Sequence, residues 1–327
     1  MKKAMFTGAA IFASIVAFCM PVSAQVVGIA TDQPGSLGFN TGQAVAKVLS
    51  LNSDLKVRTQ PMAGTAAYLP LINRGEMDFG FCNATEAYYA QSGTGNFAGK
   101  PNPNLRMVGM MFPLRTGLAV VADTGIKTIH DLAAHKGKLR IASEYKASNI
   151  IPYYIEGALA DGGMTYNDFK RVPVSGFVDG IKALGDGRVD ITLISLGSAG
   201  GRKVNEELKS RGGFRYVSLD ASPKAFANFE NKLPSGSIIS LKANPKLPGL
   251  LEPTTNIVAI PWVMVTNKNT PDKLVYTVVK TLLAHYPELA STFAAFRNSG
   301  PKDFAPKHKI PYHPGALKAI EEAHIPH

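Results

Sequence analysis

The run IATDQPGS, Ile29 to Ser36, has a counterpart 112 residues later in IASEYKAS, Ile141 to Ser148. The offset persists further along. QPMAG (60–64) stands 112 residues before VPVSG (172–176), matching Pro61 with Pro173 and Gly64 with Gly176. GEMDFGFCN (75–83) stands 112 before GRVDITLIS (187–195), matching Gly75 with Gly187 and Asp78 with Asp190. Three blocks at one ungapped offset confine the chain to folds with two similarly built halves.

Each half reads the same way. VVGIAT and KLRIAS are short apolar runs with polar ends, which are strands; TGQAVAKVLSL and IIPYYIEGALA follow with helical spacing. LKVRTQP and FKRVPV are second strands. TAAYLPLINRG and FVDGIKALGDG are second helices, each closed by a glycine suited to a helix C-terminus. MDFGFCN and VDITLIS are apolar almost throughout, as strands covered on both faces are. The predicted class is α/β: two lobes, each a β-α-β-α-β unit with a mostly parallel sheet and helices on both faces. Two long apolar stretches, MVGMMFPLRTGLAVVADTG and TNIVAIPWVMVTNKN, predict one strand crossing to the second lobe and one returning, a two-strand hinge. TPDKLVYTVVKTLLAHYPELASTF predicts one amphipathic helix. Thr270 is its cap, Pro271 its first residue, and Leu274, Val275, Val278, Leu282 and Leu283 its core face, packing on lobe 1.

The start of the chain sets the compartment. Lys2 and Lys3, the apolar AAIFASIVAFCM and the small-residue break PVSA form a signal peptide, with cleavage expected after Ala24. The apolar run falls short of the ~20 residues that span a bilayer. Phe18 before Cys19 argues against lipidation, and no twin arginine appears. The expected division is residues 1–24 signal peptide, 25–122 first segment of lobe 1, 123–254 lobe 2, and 255–327 return strand and C-terminal helices on lobe 1. The mature chain is expected in the periplasm as a monomer. Its only cysteine, Cys82, lies in an apolar strand and reads as a buried structural thiol rather than a nucleophile. Of the 35 basic residues, removing Lys2 and Lys3 leaves 33 against 24 acidic, a net +9. The basic residues are scattered without an aromatic-interleaved stripe, so nucleic acid is not the expected partner. A diffuse field that attracts small anions is.

Six loops follow the six strands: TDQPGSLG, MAGTA and NATE in one half, SEYKASN, VSGF and SLGSAGG in the other. All are short, polar and placed before helices. Open sheets bind ligands beyond the carboxyl ends of their strands. Unpaired N–H groups at helix starts favour anions. Ser36, Thr65, Asn83, Ser148, Ser195 and Ser198 stand there, each either a helix cap or a ligand contact. Enzyme motifs are missing. No G-x-S-x-G occurs, and GTGNFAGK has Thr94 where a phosphate loop needs glycine. GTGNFA follows a helix-like stretch rather than a strand. His308, His313, His324 and His327 match no standard zinc spacing and read as capping or solvated residues; no metal and no cofactor is expected.

Four stretches, taken in order, carry a family resemblance: GIATDQPGSLGFNTGQAVAKVL, LINRGEMDFGFCNATEAYYAQSGTGNF, GIKALGDGRVDITLISLGSAGGRKVNEEL and IPYHPGALKAIEEAHI. Through them nearly the whole mature chain resembles the solute-binding receptors of tripartite ATP-independent periplasmic (TRAP) transporters, TAXI type. The resemblance implies a type II periplasmic-binding-protein fold. It implies a small organic anion (dicarboxylate, oxo-acid or amino acid) held between two lobes and delivered to integral-membrane TRAP permease subunits. The family often has a Gly-Thr-Tyr-Tyr-like run where this chain has Ser36-Leu37-Gly38-Phe39-Asn40, so the identity of the solute does not carry over. Expected ligand contacts are Ser36, Leu37, Gly38, Thr65, Asn83 and Ala84 in lobe 1. In lobe 2 they are Tyr145, Lys146, Ser148, Gly197 and Ser198. Arg115, near the hinge, is a candidate clamp for a carboxylate. The competing readings are a ligand sensor for a membrane kinase, a binding protein for another class of permease, and an enzyme on the same bilobed fold.

Overall fold

The computed structural model describes residues 26–327; the expected signal peptide and its cleavage point lie outside the described residues. The strands are β1 (Val26–Thr31), β2 (Lys56–Pro61), β3 (Phe79–Asn83), β4 (Leu105–Val121), β5 (Arg140–Glu144), β6 (Lys170–Val174), β7 (Ile191–Ser195), β8 (Phe214–Tyr216), β9 (Ser237–Lys242) and β10 (Thr254–Asn267). The helices are α1 (Leu37–Asn52), α2 (Thr65–Arg74), α3 (Ala84–Ser92), α4 (Ile129–Ala133), α5 (Ile151–Asp161), α6 (Phe177–Gly185), α7 (Ala199–Glu207), α8 (Pro223–Lys232), α9 (Asp272–Ala284), α10 (Tyr286–Thr292) and α11 (Pro314–Glu322). No helix among the described residues is long and apolar enough to cross a membrane.

The strands join in the order β2-β1-β3-β10-β4-β7-β5-β6, with β8 on β4 and β9 on β10. The internal repeat is structural. β1 pairs in parallel with β2 and β3, as β5 does with β6 and β7. Ile29 stands opposite Phe79, and Ile141 opposite Ile191, which are positions related by the same 112-residue shift. The repeated aspartates do the same work in both copies. Asp78 accepts from the Gly28 N–H at 2.8 Å, and Asp190 accepts from the Arg140 N–H at 2.8 Å. Each carboxylate ties its third strand to the start of its first. The repeated glycines recur in role as well. Gly64 and Gly176 precede α2 and α6, and Gly75 and Gly187 follow them with φ of 76° and 67°, left-handed values natural to glycine.

β4 and β10 run antiparallel through the middle of the sheet. The late part of β10 lies between β3 and the early part of β4; at the opposite ends β4 meets β7 and β8, and β10 meets β9. At the crossover Pro113 faces Pro261, and the register shifts between Trp262 and Val263. Neither proline has an N–H to give to the ladder, so the sheet is least bound by hydrogen bonds where the halves join.

The long C-terminal helix expected over 270–293 is two helices. The break falls at His285, because Pro287 lacks an N–H and disfavours helical geometry just before it. α9 begins at Asp272, after Pro271. The Thr270 hydroxyl instead pairs with that of Thr266. Leu274, Val275, Val278 and Leu282 are buried as expected, with Val279 beside them; Leu283 is only half-buried. At about 1.5–3 kcal/mol per buried aliphatic side chain, this face is ample to hold the helix against α1 and α11. His313 caps α11, its Nδ1 accepting from the Gly315 N–H at 3.2 Å. Cys82 is fully buried, and burial raises its thiol pKa, which leaves it an inert core residue.

Candidate functional site

A cavity of about 50 Å³ lies between the halves. This is far below the roughly 300–1,000 Å³ of sites for drug-sized ligands, so the space admits only a small molecule. All six strand-end loops reach its wall. From the first half come Asp32, Ser36, Thr65, Asn83 and Glu86; from the second, Ser148, Phe177 and Ser195. Ser36 and Ser148, the last residues of the repeated phrase, face one space from opposite sides. β4 adds Leu114 and Thr116, β7 Leu193, α5 Ile151 and Tyr154, and β10 Trp262.

The halves touch around the cavity. The Gly200 N–H at the start of α7 donates to Gly35 O at 2.8 Å. Asn96 Nδ2 donates to Asn149 Oδ1 at 2.8 Å, and Asn149 Nδ2 returns to Asn96 O at 2.9 Å. Thr85 Oγ1 donates to Pro234 O. A Cβ on Gly64 would sit 2.1 Å from Ala147 O, so only glycine permits this approach. In this structure the two halves are thus in direct contact around the cavity.

Of the expected contacts, Ser36, Leu37, Gly38, Thr65, Asn83 and Ser148 line the cavity; the other six do not. Ala84 faces a neighbouring groove with Tyr88, Pro234 and His308. Arg115 is misplaced by strand parity. Leu114 and Thr116 face the cavity, so the residue between them points through the opposite face of the sheet. There its Nε is buried without a partner, and desolvation lowers its pKa. Tyr145 is a core residue beneath α6. Its hydroxyl lies 3.0 Å from Thr192 Oγ1, and its ring leaves no room for a Cβ at Gly180. Lys146 is 82% exposed, 3.9 Å from Glu144. Gly197 takes φ 77° in the turn before α7, and Ser198 is spent as that helix's cap, accepting from the Gly201 N–H at 3.1 Å.

The cavity wall lacks the carboxylate clamp for which Arg115 was the candidate. Among the described residues no lysine or arginine lines it, and its carboxyl groups are Asp32 and Glu86. Burial pushes Asp32 up to about 7. Burial, with the added charge of Asp32, pushes Glu86 up to about 8, against the lowering effect of hydrogen bonds from Thr65 and Asn96. The Tyr68 hydroxyl lies 2.5 Å from Phe81 O and 3.3 Å from Asp32 Oδ1. The phenol's one proton serves Phe81 O at the shorter distance, and the longer contact with Asp32 Oδ1 is the weaker of the two. Glu86 is held by the Thr65 hydroxyl (2.6 Å) and Asn96 Nδ2 (3.0 Å) on Oε1, with Asn83 Nδ2 3.4 Å from Oε2. Asn83 caps α3 through Oδ1, which accepts from the Glu86 N–H at 2.8 Å and fixes which way its amide points. Two further groups of the wall, Tyr154 OH and Trp262 Nε1, are buried with no partner. Asp32 and Glu86 lie within quoted loops, and Trp262 is the chain's single tryptophan. Those were the signals available in the sequence, but nothing local separates a wall residue from a cap.

With fold and cavity in view, the relatives can be placed. The family model described as the NMT1-like family matches residues 29–323, and the chain belongs to that family. A solved structure described as a periplasmic transporter is similar at a TM-score of 0.59 and 14% identity, over 93% of this chain and 94% of that one. The periplasmic binding protein BugD is similar at 0.57 and 14%, over 93% and 95%. The binding-protein component of an ABC phosphonate transporter from Pseudomonas aeruginosa is similar at 0.54 and 11%, over 84% and 79%. The fold is the two-lobed α/β fold of periplasmic binding proteins, a central sheet system flanked by helices.

Proposed function

We propose that this chain is the exported solute-binding component of a membrane transport system. It closes its lobes, 25–122 with 255–327 against 123–254, on a small organic solute and presents the closed form to a TRAP-type permease. The observation that carries the reading is the cavity itself. It is walled by matching loops of two repeated halves, and its rim is sealed by hydrogen bonds between them. A solute touching both halves favours the closed form, because only there are both sets of contacts made. The binding-protein descriptions of its structural neighbours support a carrier rather than an enzyme. The TAXI-like stretches support the TRAP permease as recipient. Of the anions that the resemblance implies, a dianion fits worst, since the wall offers two acids and no cation.

The test is a thermal-shift screen of the chain from Gln25 against small metabolites. A true solute at 100 times its Kd stabilises by about 2.7 kcal/mol and is recovered unchanged. Steady conversion of the solute into a product would replace this reading with an enzyme.

A further inference from the structure

We propose that Asp32 and Glu86 form the seat of a protonated nitrogen on the solute. This inference rests on the receptor reading and gives its ligand a charge. Asp32 follows β1 and Glu86 stands in the first turn of α3, and both face one cavity whose wall, among the described residues, holds no lysine or arginine. Each already has one oxygen occupied: Asp32 Oδ1 by Tyr68, Glu86 Oε1 by Thr65 and Asn96. The other oxygens have acceptor capacity to spare. Glu86 Oε2 has only the 3.4 Å contact with Asn83, and Asp32 Oδ2 lies against Gly38, where a Cβ would come within 2.3 Å of it. Gly38, having no side chain, lets the start of α1 pack close to that oxygen, which has no hydrogen-bond donor among the described residues. Glu86 is fully buried and Asp32 partly so; such acids without a cation are costly, and a solute ammonium supplies the missing charge where a proton otherwise must.

The same wall carries the complementary groups. Trp262 Nε1 is a pure donor, the Tyr154 hydroxyl is a donor without a partner, and both residues are more than nine-tenths buried. They suit an acceptor on the same molecule, such as a carboxylate or carbonyl oxygen. The remaining titratable groups facing the pair are Tyr68 from α2, Cys82 from β3 and Tyr154 from α5. Burial raises the pKa of all three, so they stay neutral while the two acids titrate.

Calorimetry on the chain from Gln25 tests this with matched pairs: L-alanine and pyruvate, L-valine and 2-oxoisovalerate, L-glutamate and 2-oxoglutarate, with xylitol as a neutral probe. The amino member of at least one pair should bind about tenfold or more tightly than its oxo partner. Its affinity should rise by about tenfold or more from about pH 6 to about pH 8.5, as the two acids give up their protons. Asp32→Asn and Glu86→Gln should each weaken it by about tenfold or more and flatten the pH profile, with melting temperature and circular dichroism at pH 6 unchanged. Tighter binding of an oxo-acid or xylitol, or affinity that falls with pH, would overturn the inference and leave a solute receptor standing. Stabilisation by no member of the panel would count against both.

Discussion

Asp32 and Glu86 make the protein's stability a readout of its site. Both carboxyls titrate higher in the folded chain than in the unfolded one, so between those values the folded state holds more protons. Their contribution to stability is complete below the unfolded values and is lost as pH rises through about 7 for Asp32 and about 8 for Glu86. The slope is about −1.4 kcal/mol per pH unit for each group. His308 and His313, whose pKa values burial lowers, give the opposite trend, but only below the ordinary histidine value. The clean window is therefore about pH 6.5–8. The ligand-free protein should lose melting temperature across it, and the double variant Asp32→Asn/Glu86→Gln should lose much less. Equal slopes in the two proteins would show that neither acid is protonated in the fold. At this scale the sequence was a partial guide. The serines of the repeated phrase were legible, whereas Arg115 was misjudged because its facing depends on the parity of β4, which Leu114 and Thr116 reveal only once the cavity is located.

At the scale of elements, the loop-helix junctions decide how closely the halves approach. Gly64, at the junction before α2, has φ 163°, an extended value any residue can adopt, so its glycine is required by the neighbour across the cleft rather than by its own backbone. Gly64→Ala should fold normally and fail to close, because its methyl would sit 2.1 Å from Ala147 O in the closed form. Solute affinity should fall about tenfold or more while the ligand-free melting temperature holds. An alanine variant that binds like the wild type would mean the halves tolerate a looser seal. Strands β1–β3 and β5–β7 and the helices between them were readable from periodicity and glycine placement. The break at His285 was not anticipated, although Pro287 was in plain view: the amphipathic pattern continued through it, and pattern alone does not register a missing N–H.

For the whole molecule, β4 and β10 are the continuous links that carry strand pairing from one half to the other, and Pro113 opposite Pro261 weakens the ladder where they cross. Closure about this crossing predicts that small-angle scattering of the solute-free protein reports a larger radius of gyration than the closed structure. Solute at saturation should shrink it. A radius equal to the closed value with and without solute would mean a rigid cavity and would remove the closure signal proposed for the permease.

The sequence by itself determined the two-fold plan. Strand and helix periods, the paired aspartates and the paired glycines are local facts, and each copy repeats them at one spacing. What only the tertiary structure decided is the sign of the site. Which side of a strand faces the cleft, which serine is consumed as a cap, and whether a lysine turns inward or outward all depend on partners distant in the chain. The folded halves turned Arg115 and Lys146 away and left Asp32 and Glu86 inside, where burial rather than residue type sets their charge.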